Sequence, residues 1–275
     1  GGVVKGAVEG GGRVSGYFTG ASGTTVFRGD AYGADFVNNA FAADSGGQLV
    51  HRKKIHPNGV SLVGRRPDDE LNFEFAASTD TWVRTVNFAN APDGTLHILD
   101  MYREVIEHPW SLPEEIKKHL DLNNGNTRGR IYRIVPADAK WTRRGSVALG
   151  QAGIAELVAT LEHPNGWHRD TASRLIYERQ DRTAVPLLTK LGRDSKEPLA
   201  RFHALGALDG LGALGETAVI AALGDADAHV RERGIGLAEK FIAREAPSAA
   251  LIEKLAALAG DADARVRFQL AFTLQ

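Results

Sequence analysis

Asp225-Ala-Asp-Ala-His-Val-Arg231 returns as Asp261-Ala-Asp-Ala-Arg-Val-Arg267. A motif recurring at a fixed spacing of this size marks a chain built of stacked supersecondary units, each burying its apolar face against the next. From Ile154 onward the apolar residues recur with a period near 3.6, in IAELVATL, AVPLLTKL, TAVIAALG and ALIEKLAALA, which read as amphipathic helices. Looser copies of the motif lie around His168–Ile176 and Leu199–Leu208. Residues 151–275 are therefore expected to form a solenoid of paired helices. In each copy Asp can cap the second helix, and Arg can reach the turn of the neighbouring repeat.

Upstream the period is two. Strand-like runs cover Thr25–Arg28, Phe36–Ala42, Gln48–Ile55 and Val60–Gly64, with Pro57-Asn58-Gly59 as a hairpin turn between the last two. Three more follow at Val83–Phe88, Thr95–Met101 and Gly129–Val135. Ala91-Pro92-Asp93-Gly94 joins the first two of these, Pro presetting φ and Gly accepting φ > 0. Four antiparallel strands make one propeller blade. The expected fold is thus multidomain, β then α: the last blades of a partial β-propeller over residues 1–136, a linker at 137–150, and a helical superhelix at 151–275. The second blade shows three strands, and a fourth is expected from a region upstream. The glycine-rich residues 1–23, with Val3-Val4 and Val14–Phe18 as short strands, read as a remnant of a preceding blade. Ser111-Leu112-Pro113-Glu114 reads as a capping box opening a helix over about 113–120.

Composition narrows the function. The 275 residues fit one large or two medium domains. Net charge is −1 and pI about 6.8, a balance that does not suit nucleic-acid binding. No run of 18 apolar residues is present to span a membrane. Zero cysteines exclude disulfides and covalent haem within these residues. Met101 is the sole methionine, so a fragment or processed chain is expected.

Two clusters carry candidate chemistry. Arg84, Asp100, Tyr102 and Arg103 sit at strand ends, where propellers build sites around their channel. The arginines suit an anionic ligand, with Asp100 orienting them; the alternative is that Asp100 caps a turn and pairs with an arginine. In His51-Arg52-Lys53-Lys54, His51 can serve as a general base; the alternative is a solvated edge strand blunted by charge. Glu107-His108-Pro109 lies on an insertion after Asp100. No His-x-His, His-Glu-x-x-His or EF-hand pattern points to a metal, and no Gly-x-Ser-x-Gly elbow occurs. Gly210-Leu-Gly212-Ala-Leu-Gly215 follows a helix rather than a strand, which argues against a dinucleotide loop. Gly10-Gly11-Gly12 lacks the ending of a phosphate loop.

Taken in order, LVHRKK, EFxxSTDxWxR, PDGTLHILDMYRxVIEHP and RGRIYRI resemble the large membrane-bound dehydrogenases of planctomycete-type (PVC) bacteria, also described as haem-binding proteins, and more distantly the soluble quinoprotein sugar and sorbosone dehydrogenase propellers. The resemblance covers roughly residues 24–275, and the D…VR pattern resembles HEAT-type repeats, which implies a right-handed α-α superhelix. It implies a quinone-dependent oxidoreductase of sugars or alcohols, with pyrroloquinoline quinone and calcium as cofactors and haem c only in a module outside these residues. His51 and Asp100 would then be catalytic, and Arg84, Tyr102 and Arg103 cofactor-binding, with no metal ligand assignable. A periplasmic or secreted location and a protein partner on the helical repeats are implied too. The alternative is a ligand- or protein-binding propeller with a HEAT scaffold and no catalysis.

Overall fold

The computed structural model describes residues 18, 20–106, 108–137, 142, 145–243 and 247–275. The expected strands at Val3-Val4 and Val14–Phe18, the Gly10-Gly11-Gly12 run and Glu107 lie, apart from Phe18, outside them. The chain divides into two units, residues 1–56 with 63–144, and residues 57–62 with 145–275.

The first unit is antiparallel β. Strands β1 (Ala21–Val26), β2 (Asn39–Asp44), β3 (Leu49–Asn58) and β4 (Ser61–Arg65) pair in chain order, and the two-residue β5 (Ala76–Ala77) adds beside β3. A second sheet has the order β6 (Thr85–Asn90), β7 (Leu96–Asp100), β8 (Arg130–Ile134). The β6–β7 turn follows its sequence: Gly94 has φ 86° and donates to Ala91 O, while Asp93 Oδ1 accepts from both Thr95 N and Thr95 Oγ1.

Alternation sends Leu96 and Ile98 of β7 inward, where they meet Phe27, Phe41, Ala43, Val50 and Phe88. Tyr32 ties the two sheets together. Its ring stacks on Phe27 at 4.6 Å, and its hydroxyl accepts from Leu96 N and donates to Ile134 O. Burial pushes this phenol up to about 12.

Two expectations are corrected here. First, β3 is not a solvated edge strand: it runs between β2 and β4/β5, with His51 and Arg52 buried. Arg52 lies over the Phe36 ring at 4.4 Å, with Nε 2.9 Å from Glu70 Oε1. Second, Ser111 opens no helix. It closes a 3-10 turn over Pro109–Ser111, and α1 (Glu114–Lys117) begins after Pro113 with no side-chain cap. Two prolines four residues apart divide the segment into separate turns.

The second unit is helical: α2 (Ile154–Thr160), α3 (Gly166–Arg179), α4 (Ala184–Asp194), α5 (Pro198–Gly210), α6 (Glu216–Leu223), α7 (Ala228–Ile242), α8 (Ala249–Ala257) and α9 (Ala264–Thr273). Helices pack in the sequential pairs α2–α3, α4–α5 and α6–α7, with α3, α5, α7 and α9 following one another along a row. The repeat motif explains that row. Its second Asp caps the helix: Asp227 accepts from His229 N and Val230 N, and Asp263 from Arg265 N. Its first Asp takes a two-pronged bond from the preceding repeat, Arg201 to Asp225 and Arg231 to Asp261, at 2.7–2.9 Å. Gly210-Leu-Gly212-Ala-Leu-Gly215 is the turn between α5 and α6. No helix among the described residues is long and apolar enough to cross a membrane.

Candidate functional site

Strand β7 ends in a buried carboxylate. Asp100 Oδ1 accepts the backbone N–H groups of Arg84 and Tyr102, each at 2.8 Å. Met101 N donates to Arg84 O and Arg103 N to Trp82 O. These bonds fold the chain into a corner at which Tyr102 takes φ 47°, a left-handed conformation uncommon for a non-glycine residue. Gly125, itself at φ 88°, lies so close behind that a Cβ there would meet Tyr102 O at 2.2 Å.

Arg84 locks the corner from the other side. Its Nε donates to Arg103 O at 2.9 Å, Nη2 to Glu104 O at 2.8 Å and Nη1 to Ser45 O at 3.1 Å. Ser45 belongs to the β2–β3 turn, so one guanidinium ties that turn to the segment after β7. The bond between Asp100 and Arg84 runs through the Arg84 backbone and not through its guanidinium. The cation that does approach Asp100 is Arg130, whose Nη1 is 3.8 Å from Oδ2.

Tyr102 presents its ring to Arg130, whose guanidinium carbon lies 3.5 Å from the ring centre, a cation–π contact. The Tyr102 hydroxyl donates to Asp80 Oδ2 at 2.9 Å. The Trp82 N–H and this hydroxyl together hold the Asp80 carboxyl below its ordinary value. Two nitrogens in this neighbourhood, Arg103 Nη1 and Arg130 Nη1, are shielded from solvent and have no hydrogen-bond acceptor among the described residues.

His51 has a different set of partners. Its Nδ1 is 2.7 Å from Glu74 Oε2, and the other Glu74 oxygen accepts from Arg66 Nη2 at 2.6 Å. Arg66 is fixed in turn by Glu70 O and Phe73 O, both at 2.9 Å. Phe18 stands edge-on to the imidazole at 5.6 Å. Burial pushes the Glu74 carboxyl up, but bonds from Arg66 and His51 outweigh it and leave the group below its usual range.

Arg84, Asp100, Tyr102 and Arg103 thus come together as one corner, and His51 belongs to a separate acid–imidazole pair. Sequence reasoning gave no role to Glu74, Arg66, Asp80 or Arg130. Glu74 and Asp80 stand in the EFxxSTDxWxR stretch and Arg130 in RGRIYRI, but His51 and Tyr102, which they meet, are distant in sequence and only the fold brings them near. Trp110, on the insertion after Asp100, is 90% exposed. No three His, Cys, Asp or Glu side chains converge as a metal site among the described residues.

A family model described as "Domain of unknown function (DUF7133)" matches residues 4–138. No curated protein matches the chain.

Proposed function

We propose that the β unit is the closing part of a β-propeller, that the helices form a right-handed superhelix of HEAT-like repeats, and that the chain is part of a periplasmic or secreted oxidoreductase of sugars or alcohols. Successive antiparallel sheets of four and three main strands, sharing one apolar core, support the propeller reading. The stepwise Arg–Asp bonds from repeat to repeat support the superhelix. The observation that carries the functional reading is Arg103 Nη1, buried and without an acceptor among the described residues, at the corner where Arg130 lies over the Tyr102 ring. A buried guanidinium nitrogen without an acceptor is costly, and a carboxylate is the acceptor it matches best.

The residues fit the anionic part of pyrroloquinoline quinone, a tricarboxylate: Arg103 and Arg130 would hold carboxylates. They supply no identified oxygen set for calcium, and haem c would need a module with cysteines. When bound, the quinone supplies the acceptor for the substrate hydride. The chain's own part is to hold that anion at the strand-end corner and to take the hydroxyl proton at His51. Arg84 and Asp100 act as framework in this reading, because Arg84 bonds three backbone carbonyls and Asp100 Oδ1 is committed to two backbone N–H groups. That commitment also favours a second reading, a ligand-binding platform without catalysis whose helical repeats hold a protein partner.

Titration calorimetry with pyrroloquinoline quinone and calcium, followed by dye reduction with a panel of sugars and alcohols, separates the two. Binding that weakens about tenfold or more in Arg103→Ala, the scale of one charge-assisted bond, supports the anion site. Turnover supports the oxidoreductase. Binding without turnover selects the platform, and absence of binding removes the quinone.

A further inference from the structure

We propose that Glu74 and Arg66 are positioning residues that hold His51 with Nδ1 protonated and Nε2 bare, so that Nε2 accepts the proton of a bound hydroxyl group. The inference rests on the reading of His51 as a base and names the residues that would make it one. An imidazole has one donor and one acceptor nitrogen when neutral, and the bond made by one nitrogen sets the role of the other. Here Nδ1 lies 2.7 Å from a carboxylate oxygen. A carboxylate below its usual pKa range is an acceptor only, so Nδ1 must carry the proton. Arg66 takes the second carboxylate oxygen at 2.6 Å and is itself anchored on two backbone carbonyls. The carboxylate therefore cannot rotate away without breaking a charge-assisted bond.

Placement suits the role. Val50 and Arg52 point into the core, so alternation turns His51 to the opposite face of the sheet. The His51 side chain retains 8% exposure and that of Glu74 23%. Lys53 and, across on β2, Asp44 share that face. Asp44 Oδ1 is bonded to the N–H groups of Gly20 and Gly46, Lys53 is exposed, and the Glu74 carboxylate is in contact with the ring. The proton step is balanced on these groups: the hydroxyl O–H bond breaks, its proton passes to Nε2, and the resulting imidazolium is stabilised by Glu74 as the alkoxide forms.

The test is nitrogen-15 NMR of histidine-labelled full chain, with His51→Gln to assign the His51 signals among the nine histidines. Wild type should show a protonated Nδ1 and a bare Nε2. Glu74→Leu, which offers no acceptor, should shift His51 to the opposite tautomer, and Glu74→Asp should restore the original one. A protonated Nε2 in the wild type, or a folded Glu74→Leu chain with an unchanged signal, overturns the proposal. A melting curve identifies folded variants, and Glu74→Gln, which keeps one acceptor oxygen, provides a milder substitution. In the dye assay Glu74→Leu should lower kcat tenfold or more with little change in KM. The expected tautomer in a chain without turnover would sink the oxidoreductase reading and leave the positioning role standing.

Discussion

Arg84 bonds three carbonyl oxygens from two different turns. Its truncation strands those acceptors together and releases the β2–β3 turn from the corner after β7. Arg84→Ala should therefore cost about 3 kcal/mol in urea unfolding, the scale of losing several bonds to a charged group after partial rehydration. Arg84→Lys should recover little, because a single ammonium cannot spread across three carbonyls as a planar fork does. Asp100 makes a sharper comparison. Both of its backbone bonds land on Oδ1, so Asp100→Asn keeps an acceptor in place and should be clearly milder than Asp100→Ala. Trp110 is the counterexample: at 90% exposure, Trp110→Ala should move stability by no more than about 0.5 kcal/mol. Ligand binding lost in Arg84→Ala at unchanged stability would return Arg84 from the framework to the site.

At the scale of elements, the Arg–Asp bonds are the strongest test of the repeat reading. Asp261 and Arg231 are only 7% and 16% exposed and meet through two bonds. Asp261→Asn should cost about 2 kcal/mol, between the values for an exposed and a fully buried pair. Asp194, paired with its exposed neighbour Arg193, should tolerate the same change. The pH dependence follows by sign. Bonds from Arg231 hold the Asp261 carboxyl below the ordinary carboxylate range; Asp225 is lowered as well, its burial outweighed by Arg201. A depressed acid contributes stability that is present above its unfolded pKa and lost as pH falls through the folded one. Melting of the helices should therefore be insensitive to these two groups from pH 7 to about 4 and fall below that, less steeply in Asp261→Asn. These pairs were legible because Asp, Val and Arg recur at fixed offsets. The strands were legible to within a few residues because β2 and β7 bury alternate residues and the turns carry Pro, Asp and Gly. Strand β5 was not, since two residues show no period. The burial of His51 was not either: its partner Glu74 lies 23 residues away, a distance that local pattern cannot bridge. Nor could sequence tell an arginine that binds a ligand from Arg84, which binds carbonyls, as backbone acceptors leave no mark on residue type.

For the molecule as a whole, the two units differ in how far a local loss spreads. In the β unit the core draws on β2, β3, β6 and β7 and on Phe27 just after β1, so its contacts join residues far apart in the chain and should be lost together. The helical core is a succession instead. One apolar cluster runs from Leu149 to Leu211 and a second from Leu205 to Leu270, with Ala204 and Leu205 of α5 as neighbours between them. Each repeat is stabilised by the repeats beside it and little by those farther away. Deleting residues 244–275 removes Leu251, Leu255, Leu258, Val266 and Leu270 from the second cluster and Asp261 from Arg231. It leaves the cluster around Leu157, Leu161, Ile176 and Leu188 intact. The shortened chain should therefore keep the helical signal of α2–α5 in circular dichroism and lose it mainly from α6 and α7. Its helical transition should fall by about 10 °C or more, since each uncovered core side chain contributes roughly 1.5–3 kcal/mol. Loss of the whole helical signal at once would show a single cooperative core in place of a stack of repeats.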